Sequence, residues 1–148
     1  MGLPRLLITI FTSVIFSLTT LAQPSPESDD QSRQAFKQGL MAFNQKQFDK
    51  AVESLNQVPE LGGFLSLYKH WFLGQAYLEL GKYDLAEPEF AKVAQGQPST
   101  ELKYQSQFLM GEVAYRQQAY KQVIDRLSPL EKKWRRSHRF PEVLYRLM

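Results

Sequence analysis

Three glycines, Gly39, Gly74 and Gly111, stand 35 and 37 residues apart, and the residues after each of them repeat. Phe48, Tyr83 and Tyr120 follow nine residues later, and Ala51, Ala86 and Val123 twelve later. Leu55, Phe90 and Leu127 come at sixteen, and Val58, Val93 and Leu130 at nineteen. Five columns in one register over three copies are an internal repeat, which restricts the chain to units that bury their apolar faces against one another. The spacing within a copy is helical. In the middle one, Leu73, Tyr77 and Leu80 share a face at i, i+4, i+7. Gly81-Lys82 ends that helix, because glycine takes the left-handed conformation that closes it. Asp84 is placed to cap a second helix, whose inner face is Ala86, Phe90, Val93 and Ala94. Gly74 and Ala86 are small where the two antiparallel helices approach most closely. Pro88 falls in about the first turn of the second helix, where it costs less than the ~3 kcal/mol of a mid-helix proline.

The central stretch from His70 to Pro98 (HWFLGQAYLELGKYDLAEPEFAKVAQGQP) resembles a tetratricopeptide repeat. Leu73-Gly74, Tyr77, Ala86, Phe90 and Pro98 meet the pattern W-x2-L-G-x2-Y…A-x3-F…P, while His70 occupies the usual tryptophan position and Trp71 comes one residue late. The resemblance implies an all-α solenoid of stacked antiparallel helix pairs wound into a right-handed superhelix. It has three pairs and the start of a fourth, in repeats at about 32–65, 67–100, 104–137 and 138–148. The expected helices run from Ser32 to about Gln45, from Asp49 to near Val58-Pro59, and over 64–80 after a Gly62-Gly63 turn. The next begins at Asp84 and closes near Gln95; Pro98-Ser99-Thr100 caps a helix over about 101–117. The last covers about 120–133, with Ser128-Pro129 as a kink site. In the fourth unit Ser137 matches Ser99 and Leu147 matches Leu109, and Pro141 suits a first helical turn. At that offset the next glycine falls at position 149, so the chain reads as the N-terminal part of a longer polypeptide. The alternative is that Phe140 to Met148 caps the last repeat with a solvated face.

Ahead of the repeats, Met1 to Arg5 is a short positive head, and Leu6 to Ala22 (LLITIFTSVIFSLTTLA) is apolar with small residues at its end. That order is an export signal, residues 1–22, with cleavage expected after Ala22. A retained membrane anchor is the competing reading, and contact with a membrane is expected only through an uncleaved signal. Seventeen residues diluted by six hydroxyl side chains are short for a span. Residues 23–31 (QPSPESDDQ) contain no apolar side chain and read as a disordered linker, leaving 32–148 as the repeat domain. The destination is the periplasm or another exported location of a bacterium.

The 148 residues include no cysteine and two histidines, His70 and His138, which argues against disulfides, thiolate chemistry and a histidine-rich metal site. No metal or cofactor is expected. No phosphate-loop, zinc-protease or nucleophile-elbow motif occurs, and Glu87 and Glu89, two apart on a helix, point to different faces. His70 in the tryptophan column reads as a packed core histidine, and no catalysis is expected within these residues.

Two surfaces are candidates for binding. The first helices of such pairs line the concave side, and their facing columns lie three before, one after and four after each glycine. Those columns hold Phe36, Trp71 and Phe108; Leu40, Gln75 and Glu112; and Phe43, Leu78 and Tyr115, with Arg116 adding a charge. They form either an apolar-aromatic groove for a peptide strand or helix, or ordinary packing between neighbouring first helices. Tetratricopeptide domains that clamp a C-terminal carboxylate use Lys and Asn at these columns, and aromatic residues stand here instead. The second candidate is the basic cluster Lys132, Lys133, Trp134, Arg135, Arg136, His138 and Arg139. Residues 132–148 hold six basic and one acidic side chain, against 12 basic and 14 acidic in residues 1–131. The cluster is either an anion-attracting patch or a solvated helix end whose cations meet the negative end of the helix dipole. Nucleic acid is not an expected partner for an exported chain.

The repeat length and the segment Ser137–Leu147 (SHRFPEVLYRL) look like the repeats of bacterial envelope proteins. These include Tol–Pal coordinators, outer-membrane assembly factors and the helical arm of soluble lytic murein transglycosylases; the assembly lipoproteins carry an anchoring cysteine that this chain lacks. The resemblance implies an exported scaffold or adaptor binding another envelope protein or peptide segment. Its alternative is the non-catalytic superhelical part of a peptidoglycan-degrading transglycosylase. Self-association through the C-terminal end is a further expectation.

Overall fold

A computed structural model describes residues 26–60, 63–96 and 100–134, and the regular elements among them are all helices. The six helices are α1 (Pro26–Asn44), α2 (Phe48–Asn56), α3 (Gly63–Glu79), α4 (Tyr83–Gln95), α5 (Thr100–Arg116) and α6 (Tyr120–Trp134). Each packs on the next in chain order, and α1 also reaches α3, so three helix pairs stack in series. Among the described residues no helix is long and apolar enough to cross a membrane. The export signal 1–22, the linker residues 23–25, Pro98-Ser99 and the fourth unit lie outside the described residues.

The five columns have a common physical origin. The repeated glycine of each first helix meets the sixteenth-residue column of its partner helix. A Cβ placed on Gly39 would lie 2.6 Å from Leu55 and on Gly74 2.7 Å from the Phe90 ring, and one on Gly111 would meet Leu127 in the same way. Carbon atoms prefer about 3.5–4.0 Å, so only the bare glycine backbone allows these approaches. Leu55, Phe90 and Leu127 are completely buried as a result, as are Ala51 and Ala86. Burial of each large side chain contributes about 1.5–3 kcal/mol relative to exposure. The cores are shared between units: Leu78, Ala86 and Phe90 of the second pair pack with Val113, Leu109 and Met110 of α5. Ala114, Val123, Leu127 and Leu130 make the core of the third pair.

The corner between the helices of a pair also repeats. Lys46, Gly81 and Gln118 each follow their glycine by seven and take φ of 59°, 69° and 61°. The N–H of the next residue reaches back five, from Gln47 to Ala42, Lys82 to Tyr77 and Ala119 to Ala114, at 2.8–2.9 Å. This is a Schellman closure. The sequence marks it only at Gly81; Lys46 and Gln118 hold the same left-handed conformation without glycine's freedom.

Three boundaries differ from expectation. α1 begins at Pro26, six residues before Ser32, so 26–31 are helical rather than linker. Proline suits the first helical position, because its φ is preset and that N–H has no intrahelical partner. Asp49 and Asp84 are second residues of α2 and α4, and Gln47 and Lys82 occupy the N-cap positions without a side-chain cap. The Schellman turn delivers the chain into the second helix, so the aspartates instead meet the positive end of its dipole. They also accept from the following unit: Lys82 donates to Asp49 at 3.2 Å and Gln117 to Asp84 at 3.3 Å. Pro88 is accommodated within α4, and Pro129 within α6.

Candidate functional site

The first-helix face carries one half-buried aromatic ring per unit three residues before the glycine: Phe36, Trp71 and Phe108. Each ring is held from behind. Phe36 lies edge-on to Phe72 at 6.3 Å, and Trp71 edge-on to Phe90 at 6.0 Å. Phe108 packs on the core of Val123, Leu127 and Leu130. Leu40 and Gln75, one after the glycine, are half-buried beside this stripe, and Arg116 is exposed. Tyr68, 44% exposed, stands one turn before Trp71 and extends the stripe.

Other members of the expected groove are drawn inward. Leu78 is buried under Tyr83, because the corner folds the second helix over it. Glu112, also buried, accepts from Arg116 Nε at 2.9 Å, and it is this hydrogen bond above all that holds the guanidinium above its ordinary range. Leu78 and Glu112 are thus interior residues. Phe43 and Tyr115 stack edge-on against Phe48 and Tyr120, at 5.5 and 6.3 Å, and Phe43 also meets Phe72 at 5.3 Å. Phe72, absent from the expected columns, covers both aromatic residues of α1. Its column, two before the glycine, faces the preceding unit. In the basic cluster, Lys132, Lys133 and Trp134 fall in the last turn of α6, and their side chains, with all of Arg135, Arg136 and Arg139, lie outside the described residues.

A second constellation sits where the α2–α3 connection meets α3 and α4. Lys69, 5% exposed, donates from Nζ to the Val58 carbonyl and to Glu60 Oε1, both at 2.7 Å. His70, 6% exposed, places Nδ1 2.5 Å from Glu89 Oε2 and Nε2 3.0 Å from Glu60 Oε2. Ser66 donates to Glu60 at 2.9 Å, and Lys92 to Glu89 at 2.9 Å. Partial burial pushes the Glu60 carboxyl up. Hydrogen bonds from Lys69 and Ser66 and the charges of His70 and Lys69 outweigh it, and the group is held down at about 2. The position that tryptophan fills in related repeats is therefore polar here, and its polar atoms are paired, as buried groups require. His70 is a packed residue, as its column indicates. Its partners 10 and 19 residues away carry no signal in the sequence. Glu87 and Glu89 do point apart: Glu87 accepts from Arg126 Nη2 of α6, whose Nη1 donates to the Met110 carbonyl.

Residues 70–99 are a tetratricopeptide repeat. The match runs from His70, midway along α3, to beyond the end of α4, and it begins and ends within one residue of the stretch that carries the motif. No curated protein and no solved structure matches the chain. Tetratricopeptide repeats are interaction modules that bind other proteins on extended surfaces made by stacking. The glycine–side-chain contact of the matched repeat recurs in the pairs before and after it.

Proposed function

We propose that this protein is a non-catalytic scaffold that holds a peptide segment of another protein along the first-helix face. The observation that carries the reading is the recurrence of Phe36, Trp71 and Phe108 as half-buried rings, each fixed by a ring or core behind it. Anchors held in place before binding lose little freedom on contact, and aromatic anchors supply much of the energy of such interfaces. Gln75, Leu40 and Arg116 provide polar and apolar contacts beside them. The order of residues 1–22 adds that the scaffold acts after export, in a bacterial envelope.

Photo-crosslinking in cells tests the surface. A photoreactive phenylalanine at Tyr68 or Gln75 is expected to capture the same partner band, whereas one at Glu53 or Lys121, exposed on the second helices, captures none. Equal capture from both sides, or from the second helices alone, rules the first-helix face out. The mass of the intact purified protein tests export: a mature chain starting at Gln23 is the expected result.

A further inference from the structure

We propose that the α5–α6 end of the described stack is a docking face for the chain's own residues 140–147, which bind it through Phe140, Leu144 and Leu147. Each first helix meets the unit before it through the same columns. Phe72, two before its glycine, lies edge-on to Phe36 and Phe43 of α1. Lys69, five before, donates to the Val58 carbonyl that follows α2. Leu109, in the column of Phe72, packs on Leu78, Ala86 and Phe90 of the second pair. With the position nine before, these columns read Leu65, Lys69 and Phe72 in α3, and Leu102, Ser106 and Leu109 in α5, all partly or fully buried. No described unit precedes α1, and there the same columns hold Asp30, Gln34 and Lys37, all exposed. A polar outer face of this kind is what closes an array at its end.

The other end is built differently. Phe48 and Tyr83, nine after the glycine, are half-buried, and so are Val52 and Glu87, thirteen after. Their equivalents in α6, Tyr120 and Ile124, are 60% and 53% exposed. They stand one turn apart on the helix and present an apolar pair, with the Tyr120 ring held edge-on by Tyr115 at 6.3 Å. The sequence after α6 carries the matching surface. The offset of 38 between Leu109 and Leu147 puts Phe140, Leu144 and Leu147 in the three columns that face a preceding unit. Their i, i+4, i+7 spacing is one face of a helix. The reach agrees as well: Phe72 follows the last residue of α2 by 16 positions, Leu109 that of α4 by 14, and Leu147 that of α6 by 13. A segment tethered this closely docks intramolecularly, at an effective concentration on the order of millimolar. A second copy offering its α1 end would instead set Asp30, Gln34 and Lys37 against Tyr120 and Ile124, burying charge without a partner.

The test places a photoreactive phenylalanine at Leu147 in the intact purified protein, since Phe72 shows that this column accepts a ring. An equal mixture of 15N-labelled and unlabelled protein is irradiated, and the crosslinked peptides are identified by mass spectrometry. Crosslinks to residues between Phe108 and Ile124, within chains of one isotope, are the expected result. The same probe at Arg139, which shares the column of the exposed Phe64 and Glu101, should reach those residues far less. Ile124→Lys, at an exposed position, should keep the helical circular dichroism and cut the Leu147 yield by about tenfold or more, because docking would bury its charge unpaired. Crosslinks joining labelled to unlabelled chains would give the face to a second copy and overturn the proposal. Crosslinks to the first two helix pairs, no crosslink within the protein, or an unchanged yield in Ile124→Lys would overturn it too.

Discussion

The approach of Gly74 to the Phe90 ring makes a prediction whose sign depends on its surroundings. Gly74→Ala gains about 1 kcal/mol of helix propensity, since Gly74 lies inside α3. Its new methyl would lie 2.7, 2.8 and 2.9 Å from three carbons of the Phe90 ring. The ring is fully buried and has Trp71 edge-on at 6.0 Å, so it cannot turn aside as a flexible side chain would. Overpacking of this kind costs about 1–3 kcal/mol, so the substitution should destabilise by about 1 kcal/mol net. Phe90→Ala alone should cost about 3–5 kcal/mol, from lost burial and the cavity it leaves. With the ring gone the clash is gone, and Gly74→Ala added to Phe90→Ala should stabilise. Urea unfolding followed by circular dichroism gives the four free energies, provided that the m-values agree. The expected coupling is about 2 kcal/mol. A value under about 0.5 kcal/mol, the ordinary departure from additivity of independent sites, would refute the claim that this approach is why the column is glycine. If Phe90→Ala is too unstable to measure, Phe90→Val withdraws the ring at smaller cost.

Two further outcomes follow from the corners and from the polar cluster. Lys46→Gly and Gln118→Gly should each stabilise by about 0.5–1 kcal/mol, since the left-handed conformation costs other residues roughly 1–2 kcal/mol and glycine adds unfolded-state entropy. Gly81→Lys should lose a similar amount, and unchanged melting temperatures in all three would contradict the shared closure. Glu60, held at about 2 against an ordinary 4.5, binds its proton more readily unfolded than folded. Its contribution is therefore complete above about 4.5 and is lost as pH falls through about 2. Because the side chain is 58% exposed, the effect should shrink with added salt. Urea midpoints between pH 5.5 and 2.5 should fall less steeply in Glu60→Gln than in the wild type; parallel curves would exclude Glu60 as a source of the slope.

What the sequence determined by itself is the repeat. Gly39, Gly74 and Gly111 with Leu55, Phe90 and Leu127 can be read as columns because a helix converts fixed spacing into a fixed face, and the same contact is made three times. The second helices start in one register, at Phe48, Tyr83 and Tyr120, although Asp49 and Asp84 are the expected starts of the first two. What only the tertiary structure decided is everything that depends on a partner from another element. Leu78 and Glu112 occupy surface columns and yet are interior, because the folded corner and Arg116 close over them. Phe72 covers Phe36 and Phe43 across a unit boundary. Lys69 and His70 are buried because Val58, Glu60 and Glu89 bring their oxygens to them from two other segments. Periodicity reports which side of a helix a residue lies on; it holds no information about which group arrives to pair with it. Burial of charge is decided by that arrival, and so the polar cluster appears only once the helices are stacked.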